Sequence, residues 1–134
     1  MKEKDLYRAI DKMLPKTIHR QSMTGASTTT NGTPDRYYDG PIGDLWVEYK
    51  QLSSMPRSGV AKGAYTELQL FWMERRFKNS NRLAHDPNIV GIVGLPNRTA
   101  VIQRLPTEWR EGTPVNTAKS LQEVANWIRV MCGG

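Results

Sequence analysis

The sequence predicts an α/β fold: a central mixed β-sheet flanked by helices on both sides, with elements in the order αβββαββα. Three observations carry this. Segments with helical apolar spacing open and close the chain, from Glu3 to Leu14 and from Thr117 to Met131. Between them, Asp44-Leu45-Trp46-Val47-Glu48-Tyr49-Lys50 alternates as a strand does. Further on, Ile89-Val90-Gly91-Ile92-Val93 is the short apolar run of a buried strand. The 134 residues suit a single domain spanning 1–134.

Each element has its local reason. In the first helix Leu6, Ile10, Met13 and Leu14 recur at helical spacing, and Pro15 ends it. Ile18 to Thr24 reads as a first strand. Ala26 to Thr33, rich in Thr, Ser, Asn and Gly, reads as a loop. Arg36 to Asp39 is a short second strand, and Gly40-Pro41 turns into a third from Asp44 to Leu52. Ser53 to Gly63, with its glycines, serines and the cations Arg57 and Lys62, is expected to be a mobile loop. Ala64 to Lys78 is a second helix, with Leu68, Phe71 and Trp72 expected on one buried face. Asn88 to Leu95 and Thr99 to Leu105 are strands joined by the turn Pro96-Asn97-Arg98. Leu121, Val124, Ala125, Ile128 and Met131 line one side of the last helix. The first three strands suit an antiparallel meander, and the second helix crosses to a strand that pairs in parallel.

Composition narrows the function. A 38% hydrophobic content allows a real core, and no apolar run approaches a membrane span. The N-terminus has no signal-peptide core, so a cytoplasmic location is expected. The single cysteine, Cys132, excludes an intramolecular disulfide and a cysteine-rich zinc site, and reads as an inert thiol. His19 and His85 lack metal-ligand spacing. A net charge of +6 and a pI near 9.7 point to a polyanionic partner.

The chemistry sits in Thr33-Pro34-Asp35 and Glu48-Tyr49-Lys50. On a strand Glu48 and Lys50 share one face and Tyr49 takes the other, while Asp35 arrives from the preceding strand. Two carboxylates, Asp35 and Glu48, can hold Mg²⁺, with Mn²⁺ as a substitute. A metal there acidifies a water and neutralises charge on a phosphate, and Lys50 orients the water or stabilises the developing charge. Gln51 is expected on the opposite face. Asp44 reads as a turn residue rather than a ligand, and Trp46 as core under the first helix.

Pro34-Asp35 followed by Glu48-Tyr49-Lys50 resembles the motif of the PD-(D/E)XK nucleases. The resemblance implies a restriction-endonuclease-like core and covers roughly residues 3 to 105, whose element order is similar to that family's. It implies a Mg²⁺-dependent DNA endonuclease with Asp35, Glu48 and Lys50 as its catalytic set. By size the chain resembles the small junction-resolving enzymes of phages, free-standing homing endonucleases and VRR-NUC-like structure-specific nucleases. Glu3 fits the acid that many members carry on the first helix; the plainer reading is a charge favouring the helix N-terminus. Gln69, in Glu67-Leu68-Gln69, resembles the glutamine on the helix after the lysine; the plainer reading is an exposed helical glutamine.

Arg36, Arg57, Lys62, Arg75 and Arg76 are candidates for tracking a nucleic-acid backbone, which positions phosphates without reading sequence. With no room for a separate DNA-reading domain, a homodimer or higher homo-oligomer is expected, with the Trp109 segment and the last helix as candidate interface elements. Two other functions fit the same residues. One is a non-catalytic basic nucleic-acid-binding module in which Asp35, Glu48 and Lys50 form a structural ion cluster. The other is an RNA-directed nuclease with the same site.

Overall fold

The structure, a computed structural model, describes residues 1–23, 33–81 and 88–134. His85 and most of the expected loop at 26–33 lie outside the described residues. Helix α1 (Glu3–Lys12) leads to strands β1 (His19–Ser22), β2 (Arg36–Asp39) and β3 (Asp44–Gln51). Strand β4 (Val60–Ala61) precedes helix α2 (Glu67–Asn81). Strands β5 (Ile89–Gly94) and β6 (Thr99–Gln103), helix α3 (Pro106–Glu111), strands β7 (Thr113–Pro114) and β8 (Lys119–Ser120), and helix α4 (Leu121–Cys132) complete the chain.

Among the described residues the main sheet has six strands in the order β1-β2-β3-β5-β6-β8. The β3–β5 pair is parallel and the others are antiparallel. This is the expected mixed sheet, with the meander and the α2 crossover where the sequence places them. The short elements α3, β4, β7 and β8 are additions to the expected order. Two-residue strands leave no periodicity to read.

The sheet separates two packed layers. On one face Leu45, Val47, Tyr49, Val90 and Ile92 pack under α1 and α4, against Leu6, Ile10, Val124 and Ile128. On the other, Ile89 packs with Leu70, Met73 and Trp109 beneath α2 and α3. Trp46 belongs to this second layer, edge-on to Trp72 at 5.1 Å, and not under the first helix. It shares strand parity with Glu48, and that parity faces α2. Trp109 is fully buried, with its indole N–H donating to the Gln103 carbonyl at 2.7 Å. The Trp109 side chain is therefore core, while its neighbours Leu105, Thr107, Arg110 and Glu111 are exposed.

Helix α2 corrects a second expectation. Leu68 and Phe71 are 55% and 64% exposed; the buried face runs through Leu70 and Met73. The helix starts at Glu67, so Gln69 turns toward the sheet and Leu68 and Phe71 turn away. Helix α4 begins at a capping box, in which the Glu123 N–H donates to Ser120 Oγ and the Ser120 N–H to Glu123 Oε1, both at 3.1 Å. It ends at Gly133, whose φ of 73° suits glycine. Cys132 is buried, its thiol pushed up to about 11 mainly by that burial, which fits an inert role. Among the described residues no helix is long and apolar enough to cross a membrane.

Candidate active site

Register builds the site. Arg36 pairs with Val47, so Asp35, one residue earlier, faces Glu48 across β2 and β3. Glu48 pairs with Gly91 on β5, and Gly91 with Gln103 on β6. A single polar row, Asp35–Glu48–Gly91–Gln103, therefore crosses four strands on the α2 side of the sheet. The next row on that face, Lys50–Val93–Val101, carries the lysine.

Glu48 is 1% exposed. Its Oε2 lies 3.6 Å from Lys50 Nζ and accepts a 3.0 Å hydrogen bond from Gln69 Nε2. Its buried Oε1 meets no donor among the described residues, and the carboxyl shares a side-chain hydrogen bond with the facing Asp35. Burial is the main cause that pushes the Glu48 carboxyl up to about 9; the facing Asp35 adds to this, and Lys50 opposes it. Asp35 is fixed by the backbone N–H of Tyr49, which donates to its Oδ2 at 3.0 Å. Glu3, at the start of α1, lies within electrostatic range of Lys50 and Asp35 and is bonded by the Gln51 backbone N–H. Burial, followed by Asp35, raises its carboxyl, while the Lys50 ammonium and the Gln51 N–H lower it. Asp35, Glu48, Lys50 and Gln69 thus meet on one face of the sheet, and Glu3 reaches Asp35 and Lys50 through charge alone.

Gln69 is aimed by the start of its own helix. The Gln69 N–H donates to Thr66 Oγ1 at 3.1 Å, and the Thr66 N–H donates to Gln69 Oε1 at 2.9 Å. This reciprocal cap occupies the amide oxygen and leaves the amide NH₂ to Glu48. The T-x-x-Q pattern in Thr66-Glu67-Leu68-Gln69 signals it in the sequence.

The basic candidates divide. Arg36 is only 8% exposed and donates through Nη2 to Asp11 Oδ2, on the opposite face of β2 from Asp35. Alternation along the strand puts neighbours on opposite faces, so Arg36 is a structural partner and not a phosphate contact. Arg76 is half-engaged, with Nε donating to Asn88 Oδ1 at 3.3 Å and its guanidinium 5.9 Å from the Trp46 ring. Arg57, Lys62 and Arg75 are exposed. The segment carrying Arg57 and Lys62 is not loose throughout. Val60–Ala61 pairs with Thr113–Pro114, and the Val115 N–H donates to the Gly59 carbonyl at 2.9 Å.

Asp44 accepts from Tyr37 Oη at 2.6 Å and from Asn88 Nδ2 at 2.8 Å, which satisfies both oxygens and agrees with a turn role. Gln51 lies on the opposite face from Lys50, near Leu6, as expected. Two residues of this corner, Tyr65 and Gln103, carry no motif that marks them in the sequence. The Tyr65 hydroxyl donates to Gln103 Oε1 at 2.5 Å, and its ring lies 5.8 Å from Lys50 Nζ.

Among the described residues no group of three or more His, Cys, Asp or Glu side chains is arranged to hold a metal. Asp35 and Glu48 form a facing pair, which suits Mg²⁺, an ion commonly bound by one or two carboxylates while keeping several waters. The unpartnered Glu48 Oε1 beside a second carboxylate is the donor set such a cation completes.

No family model matches the chain, and no curated protein matches it. Among solved structures it is similar to Archaeoglobus fulgidus Hjc, a Holliday junction resolvase from an archaeal hyperthermophile. The TM-score is 0.54 at 13% identity, over 94% of this chain and 97% of that one. The likeness is one of fold, and it makes the sheet and its helices restriction-endonuclease-like.

Proposed function

We propose that this chain is a Mg²⁺-dependent endonuclease that hydrolyses phosphodiester bonds in branched DNA. The observation that carries the reading is the facing of Asp35 and Glu48 across adjacent strands, with Lys50 Nζ 3.6 Å from Glu48. Asp35 and Glu48 would hold the metal. When bound, it would polarise a phosphate oxygen and acidify a water. Gln69 occupies Glu48 Oε2, and a metal would replace the proton that the Glu48 carboxyl shares with Asp35. The Tyr49 N–H holds Asp35 at the end of β2. Lys50 keeps a positive charge beside the acids, where charge develops on a phosphate under attack. Glu3 adds a third acid at the rim.

The choice of branched DNA rests on the nearly full-length fold similarity to a Holliday junction resolvase. Net charge +6 and the exposed Arg57, Lys62 and Arg75 suit its phosphates. A four-way junction offers symmetry-related strands, and a homodimer meets them with two copies of one site.

The test is incubation of the chain with a labelled four-way junction, linear duplex, single-stranded DNA and RNA, each with and without Mg²⁺. Cleavage of the junction that needs Mg²⁺ and vanishes in Lys50→Ala is the expected result. Binding with no cleavage in any metal would identify a non-catalytic module, and cleavage confined to RNA an RNA-directed nuclease.

A further inference from the structure

The polar row across the sheet has one position with no side chain, Gly91, between Glu48 and Gln103. The Tyr65 phenol takes that place. A Cβ built on Gly91 would collide with the Tyr65 hydroxyl oxygen, so any other residue there would expel it. The hydroxyl donates to Gln103 Oε1, and Gln103 is 0% exposed. Gln103 Nε2 in turn donates to the Ala61 carbonyl at 3.1 Å. Both ends of the Gln103 amide are thereby committed, one to Tyr65 and one to the short strand β4 that precedes it.

The same tyrosine meets the lysine of the site. Its ring centroid is 5.8 Å from Lys50 Nζ, within the range of a cation–π contact. Gly63 marks how tight this corner is. A Cβ there would lie 2.7 Å from Tyr65 Cε2 and 3.2 Å from Lys50 Cγ. Tyr65 also directly precedes Thr66, whose cap aims Gln69 at Glu48.

We infer that Tyr65, locked to Gln103 through the gap at Gly91, is a positioning residue that confines the Lys50 ammonium beside Glu48. The inference rests on the nuclease reading for its kinetic consequence. A lysine has a flexible stem and many rotamers, and holding it in one of them converts a mobile charge into an oriented one. The ring supplies a wall and an attractive face. The hydroxyl fixes the ring, and Gln103 fixes the hydroxyl.

The experiment compares wild type, Tyr65→Phe and Tyr65→Leu by two readouts. The first is steady-state cleavage of the four-way junction. Tyr65→Leu should lower kcat about 10-fold or more with KM within about twofold, because it disturbs the reacting group and not substrate binding. Tyr65→Phe keeps the ring and should recover a large part of that loss. The second readout is the spectrum of ¹³C-lysine-labelled protein, with Lys50 assigned by its absence in Lys50→Ala. The Lys50 side-chain protons should be ring-shifted upfield in wild type and Tyr65→Phe, and return to the ordinary lysine position in Tyr65→Leu. An unshifted Lys50 in wild type overturns the inference, as does a kcat in Tyr65→Leu equal to wild type. A wild type that cleaves nothing would sink the nuclease reading instead and leave the Lys50 resonances to decide this one. Should Tyr65→Leu not fold, Tyr65→Met, which fills the corner without a ring, is read in the same two ways with the same outcomes expected.

Discussion

Strand β3 separates two buried carboxylates, each beside a cation, and they are built differently. On the α1 side, Asp11 accepts from Arg36 Nη2 through Oδ2 and from Tyr38 Oη at 2.7 Å through Oδ1. Tyr38 is in turn bonded to Tyr49 at 2.7 Å, and the Arg36 guanidinium lies 4.8 Å from the Tyr7 ring. Both Asp11 oxygens are satisfied, although the buried Arg36 Nε has no partner among the described residues. On the α2 side, Glu48 has Gln69 and Lys50 at Oε2 and, among the described residues, no donor at Oε1, and it shares a side-chain hydrogen bond with a second carboxylate, Asp35. Buried polar groups are ordinarily paired, so an orphaned carboxylate oxygen calls for a reason. An acid whose two oxygens both have donors serves the fold. An open pair that raises the acid's pKa serves a ligand that the protein alone does not supply.

The comparison predicts opposite phenotypes for the two pairs. Lys50→Ala should lower cleavage by about 10²–10³-fold, the range for losing one preorganised charge-stabilising group. Its melting temperature at neutral pH should fall less than that of Asp11→Ala, because burial already holds the Glu48 carboxyl protonated and no buried charge is stranded. Single-turnover cleavage beside a thermal melt checks both halves. Near-normal turnover in Lys50→Ala would remove the lysine from the chemistry. Asp11→Ala should do the reverse, costing roughly 3–5 kcal/mol of stability by stranding Arg36 in the core. Denaturant titration measures that loss, and an unchanged midpoint would make the two pairs equivalent.

The sharing of labour between the two faces is partly legible in the sequence. Strand parity alone places Glu48 and Lys50 together and Tyr49 opposite, and the short hairpin brings Asp35 alongside Glu48. Parity also argues against Arg36 as a phosphate contact, but only once β2 is known to begin at Arg36 with its inner face toward α1. What the sequence hides is long-range. Nothing local says that Asp11 meets Arg36, that Tyr65 meets Gln103, or that Trp46 packs beneath α2. Leu68 and Phe71 mislead for a related reason: helical spacing allows two apolar faces on α2, and the cap at Thr66 chooses between them. Gly91 is the one visible trace of the Tyr65 lock, a glycine inside an otherwise β-branched run.

The open pair also predicts how stability follows pH. The Glu48 carboxyl moves from an ordinary 4.5 to about 9 on folding, mainly through burial. Between those values the folded protein holds a proton that the unfolded chain has lost. Stability without metal should therefore fall as pH rises through that window. Glu48→Gln keeps the hydrogen-bonding shape without the charge, and should flatten the fall. Mg²⁺ should stabilise wild type more at pH 8 than at pH 5, since it competes with the proton for the same oxygens. Thermal melts at the two pH values, with and without Mg²⁺, test this. Identical slopes in wild type and Glu48→Gln would place the pH dependence elsewhere.

The smallest expected effect lies furthest from the acids. Arg57 and Lys62 are exposed, and Lys62 precedes Gly63, which lies against the Lys50 stem. Cations beside the acids serve the reaction only through geometry, whereas exposed cations serve binding through counterion release. Removing one cation that neutralises a phosphate should lower the salt slope of binding by about one unit. Replacing both residues with alanine should weaken binding to junction and duplex alike and flatten the salt dependence by about two units, with kcat at saturating DNA little changed. Arg57 sits in a turn closed by the Gly59 N–H donating to the Pro56 carbonyl, while Lys62 follows the strand pairing at Val60–Ala61. Arg57 contributes only if its turn lies against the DNA, and the two single variants separate the cases. Equal slopes in wild type and the double variant would move the DNA path to Arg75 on α2, and the exposed Leu68 and Phe71 would then lie along it.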